Sequence, residues 1–257
     1  MAPKKKKQEP EITVQKINAG RATLYMLGKT PLVFNSMSAK TKQGFLLPAP
    51  PKNRAQRITT LKHDPLEEYR DSPYRSKGDD GPTRIIFPSV GIKDALRSAA
   101  VDIAGATKAQ IGRLTFIESV MTSIYGVPQM YMAVVRQAGI TRAPDIRTRA
   151  IIPEWAAEVT FQYVTPQLTG DNVAALFGAA GMFIGIGDGR PEKGKMNFGQ
   201  FEIVAPDHPD YVRILSTGGI AEQDAALESP GFYDLETEEL YGWFVDAVQS
   251  RELKVVS

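Results

Sequence analysis

The clearest pattern in the chain lies between Trp155 and Val164, where Trp155, Ala157, Val159, Phe161 and Tyr163 fall on one face and Glu158, Thr160 and Gln162 on the other. A two-residue period of this kind predicts a strand with one face on a core. After Pro166 and Thr169 the period lengthens: Val173, Leu176, Phe177 and Ala180 recur at i, i+3, i+4 and i+7, which predicts an amphipathic helix stopped by Gly181. A second helix is predicted from Pro88-Ser89, with Ser89 as N-cap, Ile92, Leu96, Ala99 and Ile103 as the apolar stripe, and Gly105 as its close. Ala95, Ala99 and Ala100 permit close packing, while Lys93 and Arg97, four residues apart, share a face.

Weaker alternation elsewhere completes the plan. Ile12, Val14, Ile17, Leu24, Met26 and Val33 give one or two strands interrupted by Gly20 and Gly28, the first near Arg21 to Leu27. Leu114 to Ile124 and Met130 to Arg136 read as two short strands about the turn Tyr125-Gly126-Val127-Pro128, a hairpin, and Phe198 to Val204 as a last strand. From Ser36 to Thr83 the pattern dissolves into Pro, Lys, Arg, Asp and Ser, a stretch too long for an ordinary connection. It is expected to be an inserted loop, basic in its first half and acidic and mobile around Asp64 to Asp80. The order of strand, insertion, helix, three strands, helix, glycine-rich loop and strand predicts an α+β fold with a ferredoxin-like (RRM-like) βαββαβ core. The expected organisation is a disordered basic tail over 1–11, one domain over 12–204 with its insertion at about 36–83, and an acidic C-terminal extension over 205–257. Leu240, Trp243, Phe244 and Val248 have helical spacing, so part of that extension is expected to dock on the domain or on a neighbour.

Composition narrows the chemistry. With 257 residues, 42% hydrophobic and 23% charged, the chain can bury a sizeable core. It holds no cysteine and two histidines, so disulfides, thiolate sites, a structural zinc and a redox cofactor are not expected. The absence of any apolar run near the roughly 20 residues that span a bilayer, and of an apolar leader, predicts a cytoplasmic protein with no membrane partner. The net charge of +2 conceals a strong asymmetry. Residues 1–60 carry twelve Lys or Arg, among them Lys40, Lys42, Arg54 and Arg57, against Glu9 and Glu11 alone; residues 201–257 carry twelve acids against Arg213, Arg251 and Lys254. The basic end suits a polyanion, and the acidic end suits a neighbour's basic end, competition with nucleic acid, or simple solubility. Arg136 to Arg149, with Arg142, Arg147 and Arg149 against Asp145, adds a second basic loop.

The most informative stretch is Gly185-Ile186-Gly187-Asp188-Gly189-Arg190-Pro191-Glu192-Lys193-Gly194-Lys195, running on to Phe198-Gly199-Gln200-Phe201. Glycines let backbone amides approach a phosphate, and Arg190, Lys193 and Lys195 supply countercharge. A dinucleotide fingerprint would follow a strand and open a helix, and an NTPase loop would end in Gly-Lys-Ser/Thr; neither context is present. A tight helix-to-strand connection accounts for Gly187 and Gly189 but leaves the three cations unexplained.

Two separated segments resemble a known family. Ile86-Phe87-Pro88-Ser89-Val90-Gly91-Ile92-Lys93-Asp94-Ala95-Leu96-Arg97-Ser98-Ala99 is similar to the IPGSSLKGALRSAA helix of the RAMP superfamily, and the loop over 185–199 is similar to that family's glycine-rich loop. The superfamily includes the backbone subunits and the crRNA-processing enzymes of CRISPR effector complexes. The resemblance implies a palm-like domain with a thumb-like insertion at 36–83 and copies stacked along a guide RNA. Lys93 and Arg97 would then lie near the strand, and Arg190, Lys193 and Lys195 would face its sugar-phosphate chain. Backbone subunits that cleave their target carry an aspartate soon after the first strand, and Pro31 to Pro51 holds no acid, so cleavage is not expected.

The expectation is therefore a non-catalytic binder of single-stranded RNA or DNA, most readily guide-like RNA, that forms a homo-oligomer or head-to-tail filament on it. The alternatives are a phage-type single-stranded DNA-binding or recombination protein and a metal-independent endoribonuclease using His63. His63 itself reads as a solvated loop histidine, and His208 as a turn residue. Tyr25, Phe34, Phe45, Tyr74 and Tyr131 are candidates for stacking on bases, with core burial the competing role of each.

Overall fold

The computed structural model describes residues 16–47, 61, 63–103, 105–136, 143–193 and 196–250. The fold is α+β. In chain order the elements are β1 (Asn18–Gly28), β2 (Leu32–Val33), α1 (Ala39–Leu46), α2 (Pro65–Asp71), β3 (Tyr74–Arg75), β4 (Ile85–Pro88), α3 (Ser89–Ile103), α4 (Lys108–Leu114), β5 (Thr115–Ile117), β6 (Met121–Tyr125), β7 (Gln129–Arg136), β8 (Pro144–Ile152), β9 (Ala156–Thr165), α5 (Gly170–Ala179), β10 (Phe201–Val204), α6 (Pro209–Thr217), α7 (Ile220–Glu228), β11 (Gly231–Phe232) and α8 (Leu235–Ser250).

The larger sheet has the order β10-β1-β9-β6-β4-β3, with β5 also paired to β9, and the smaller the order β11-β7-β8-β2. Every pairing is antiparallel except β11 with β7. Alternation along β1 and β9 sorts their side chains between two cores. Ala22, Leu24, Met26, Ala157, Val159 and Phe161 join the main core with α3 and α5, whereas Tyr25, Leu27 and Ala156 turn to the opposite face, where Tyr211 and Ile214 of α6 cover them. No helix among the described residues is long and apolar enough to cross a membrane.

Several predicted elements shift. The stripe of α3 runs through Ile92, Ala95, Leu96, Ala99 and Ala100, and Ile103 is exposed as the helix ends. Ser89 is its first helical residue, and its hydroxyl is bonded to Thr122 Oγ1 of β6 at 2.8 Å. Gly181 does not stop α5: a π-turn carries the helix on through Ala180–Ile184, and the residue is glycine because a Cβ there would stand 2.0 Å from Phe201 O. The segments expected to form a hairpin about Tyr125 part company. Strand β6 stays in the larger sheet and β7 enters the smaller one, with Gly126 at φ +129° making the change of direction. The true hairpin is β7 with β8, so Arg147 and Arg149, expected in a basic loop, stand on a strand.

The described parts of the inserted region hold more secondary structure than its composition suggested. Ser38 caps α1, accepting from Thr41 N at 3.3 Å. Asp64 caps α2, accepting from Glu67 N at 3.1 Å, and Pro65 follows in the first turn. The α2 helix then docks. Tyr69 is fully buried and donates to Pro128 O (3.2 Å) and Ala226 O (3.0 Å), while Arg70 donates to Leu227 O (2.8 Å) and Glu228 O (2.9 Å). Within Asp64 to Asp80, Pro65–Asp71 is thus helix and Tyr74–Arg75 strand, with Asp64 capping a helix whose Tyr69 enters the core, while Ser76 to Asp80 remain irregular. Residues 1–15 and 48–60 lie outside the described residues, and with them the expected tail over 1–11.

Residues 205–250 pack against both sheets. Gln223 of α7 is fully buried, donates through Nε2 to Ile124 O (2.7 Å), Gly126 O (3.0 Å) and Gly218 O (3.1 Å), and accepts from Ile85 N at 2.8 Å. In α8, Thr237 is buried and accepts from Met132 N at 3.2 Å; Leu240 and Tyr241 reach the main core, while Trp243 is exposed.

Candidate nucleic-acid interface

The first three turns of α3 and the glycine-rich loop face each other across a cleft of about 660 Å³. Its floor and rim come from Val33 of β2, Asn35 beyond it, Tyr74 of β3, Phe87 and Pro88 of β4, and Lys108 at the start of α4. The loop is fixed by main-chain bonds: Gly199 N to Pro31 O (2.8 Å), Ile186 N to Gly199 O (2.9 Å) and Asp188 N to Val33 O (3.0 Å). Gly187 has φ +79°, and a Cβ on it would meet Val33 O and Leu32 Cδ1 at 2.7 Å. The glycine is needed for the loop to lie against β2, in a conformation L side chains rarely adopt. Gly189 (φ +67°) shares that conformation.

Four cations line the cleft, Arg97, Lys108, Arg190 and Lys193, together with three acids, Asp94, Asp188 and Glu192. All but one of these charges are paired among the described residues. Arg97 bonds Asp94 Oδ1 at 2.6 Å and Lys108 O at 2.9 Å. Arg190 bonds Glu192 Oε2 through Nε at 2.9 Å and Gly187 O through Nη1 at 3.1 Å. Arg149 reaches from β8 to pair with Asp188. Lys108 Nζ donates to Ser98 Oγ at 2.8 Å and lies 3.7 Å from Glu192 Oε1. Lys193 is exposed and has no side-chain partner among the described residues. Burial pushes the Glu192 carboxyl up, but hydrogen bonds from Ser98 and Arg190 and the charges of Arg190 and Lys108 outweigh it and hold the group below the usual carboxylate range.

Of the expected site residues, the fold brings Arg97, Gly187, Arg190 and Lys193 to this cleft. Lys93 does not line it: its ammonium sits 5.1 Å over the ring of Phe116 on β5, where burial and the neighbouring Arg97 lower its affinity for a proton. Arg147 is exposed on β8, 3.4 Å from Asp145, and Lys42 is exposed on α1. Lys40 lies in α1; Arg54, Arg57, Arg142 and Lys195 lie outside the described residues. Of the candidate stacking rings, Tyr74 lines the cleft. Phe34 is buried, Tyr25 packs edge-on against Tyr211, Tyr131 contacts Phe198 and Tyr233, and Phe45 is exposed on α1. Lys108, Ser98 and Glu192 were missed, because nothing in their spacing connects α4 with α3 and the loop.

His63 is not a solvated loop residue. Its Nδ1 lies 2.6 Å from Glu68 Oε1 and its Nε2 3.0 Å from Asp145 Oδ1, and Glu68 Oε2 accepts from Thr148 N at 3.1 Å. Both ring nitrogens face carboxylate oxygens. His208 sits in a turn ahead of α6, its N–H donating to Ala205 O at 3.1 Å. Among the described residues no cluster of three or more His, Asp or Glu side chains is placed to hold a metal ion.

No protein-family model matches the chain, and no curated protein matches it. Among solved structures it is similar to the crystal structure of Cmr6 from Pyrococcus furiosus, at 12% sequence identity and a TM-score of 0.30, over 74% of this chain and 100% of that one.

Proposed function

We propose that this protein binds single-stranded nucleic acid, RNA in preference to DNA, with the sugar-phosphate chain running through the cleft between α3 and the glycine-rich loop. The observation that carries the reading is the convergence of two segments remote in sequence on one groove with four cations, the Gly187 backbone and the ring of Tyr74. Cations suit the phosphates, and a ring suits a base, at about 1 to 3 kcal/mol per stack. The strand order β10-β1-β9-β6, with α3 between β1 and β6 and α5 between β9 and β10, supports a ferredoxin-like βαββαβ reading of the larger sheet. A non-catalytic role is supported by His63 and His208, neither of which lines the cleft. Assembly of copies along the strand is supported by the apolar end of α1, where Phe45, Leu46 and Leu47 are 75%, 81% and 75% exposed.

The test is a salt titration of binding to single-stranded RNA, single-stranded DNA and duplex DNA, followed by electron microscopy of any complex. With two to four cations meeting phosphates, log affinity falls by about 1.4 to 2.8 per decade of salt. Lys193→Ala removes about 0.7 from that slope and leaves the melting temperature unchanged, because the ammonium has no side-chain partner among the described residues. Arg190→Ala weakens binding and also loosens the loop. Absence of salt-dependent binding to every polyanion overturns the proposal, and equal affinity for RNA and DNA moves it to a single-stranded DNA-binding protein.

A further inference from the structure

One carboxylate in the cleft is held as a bound anion would be. Glu192 Oε1 accepts from Ser98 Oγ of α3 at 2.8 Å and lies 3.7 Å from Lys108 Nζ of α4. Its Oε2 accepts from Arg190 Nε at 2.9 Å and lies 2.8 Å from Arg190 Nη2. A guanidinium, an ammonium and a hydroxyl converging from three elements on two oxygens is the donor set that recognises a phosphate. The other two acids of the cleft are placed differently. Asp94 pairs within its own helix, three residues from Arg97, and Asp188 is tied by its main chain to Val33 O and by its side chain to Arg149. Glu192 stands on the single turn Pro191–Lys193, between the points where the loop is anchored, with Lys193 N to Arg190 O (3.0 Å) as the turn's own bond. Moving its side chain away breaks none of the bonds that hold the loop to β2.

We propose that Glu192 occupies a phosphate seat, and that a phosphodiester of the bound strand displaces it, taking over Arg190, Lys108 and Ser98 while the carboxylate turns to solvent. The inference rests on the cleft being the strand's path. Carboxylate and phosphodiester each carry one negative charge, so the exchange leaves the seat's charge balance intact. Glu192 thereby acts as an intramolecular competitor. An isolated anion must displace it unaided, whereas a strand held at Lys193 and Tyr74 presents its next phosphate at high local concentration.

The experiment compares the full-length chain with Glu192→Gln, and with Glu239→Gln on the exposed face of α8 as a charge-matched control, by fluorescence anisotropy of a labelled single-stranded RNA at several salt concentrations. Glu192→Gln is expected to bind on the order of three- to tenfold more tightly at low salt, with the salt slope steeper by about 0.7, and Glu239→Gln to change little. Should Glu192→Gln fail to fold, Glu192→Asp, whose shorter side chain holds the seat less well and leaves Arg190, Lys108 and Ser98 in place for the phosphate, is expected to raise affinity in the same direction. Equal binding by wild type and Glu192→Gln, or an equal gain from Glu239→Gln, overturns the competitor and leaves strand binding standing. If no form binds the RNA, both proposals fall, since a vacated seat that accepts no phosphate is not one.

Discussion

Gln223→Ala probes the join on which the cleft depends. The amide of Gln223 satisfies Ile85 N at 2.8 Å and donates to the carbonyls of Ile124, Gly126 and Gly218. Truncation leaves the Ile85 amide buried without its acceptor, at about 1 to 3 kcal/mol. The carbonyls lose less, since Gly218 O still receives Gly126 N at 2.9 Å. Removing a fully buried side chain adds a cavity cost, and together the loss is about 3 to 5 kcal/mol. For a chain of this size that corresponds to a fall in melting temperature of about 6 to 20 °C. Urea unfolding followed by the fluorescence of Trp155, which is fully buried, reads the change. Gln223→Glu, which keeps an acceptor but sets a carboxylate against three carbonyls, is expected to be no better than alanine. Ile85 opens β4, and β4 runs directly into α3, so strand binding is expected to weaken with stability. An unfolding free energy within about 1 kcal/mol of wild type at unchanged m-value would refute the docking of α7 and the argument built on it.

Gly187→Ala places a Cβ 2.7 Å from Val33 O at φ +79°, and is expected to cost about 2 to 3 kcal/mol and to lower RNA affinity; thermal melting and anisotropy together check it. His63→Ala removes the bridge between Glu68 and Asp145 and is expected to cost about 1 to 2 kcal/mol, with end-labelled RNA left intact by wild type and variant alike on denaturing gels. Because the Glu192 carboxyl is held below its ordinary value of 4.5 in the folded state, its contribution to stability is complete above that value and is lost as the pH falls through the folded value. The melting-temperature difference between wild type and Glu192→Gln is therefore expected to be constant near neutrality and to shrink below about pH 4.5.

The parts of the fold legible in the sequence were those with unbroken periodicity. The strand read from Trp155 to Val164 is β9 within a residue at each end, and Val173, Leu176, Phe177 and Ala180 are all buried. Local pattern failed where a tertiary contact decided the outcome. Nothing around Tyr125 says that β6 and β7 belong to different sheets, because the partners that separate them, Ala157 and Ile151, lie far along the chain. The α2 helix did carry a signal, Asp64-Pro65 followed by Glu67 and Glu68, and the same acids that read as solvated loop are its cap and first turn. Gly181 looked like a helix stop because its reason for being glycine, the approach of Phe201 O, is invisible until β10 is in place.

Charge was the least legible property, and the reason bears on function. Counting cations along the chain treats each as available, whereas folding gives Arg97 to Asp94, Arg149 to Asp188 and Arg190 to Glu192. Those acids lie within a few residues of the cations that suggested a phosphate path, but only the fold decides which pairs close. A cleft lined by four cations and three acids does not hold a polyanion through net charge alone. On the proposed reading it would bind by exchanging internal partners for external ones, with affinity governed by how firmly each acid is tied. Asp188 has both a main-chain and a side-chain anchor and is costly to move; Glu192 has a side-chain seat alone and is the one a phosphate can replace. On that account the salt dependence counts the cations released during binding rather than those present in the sequence.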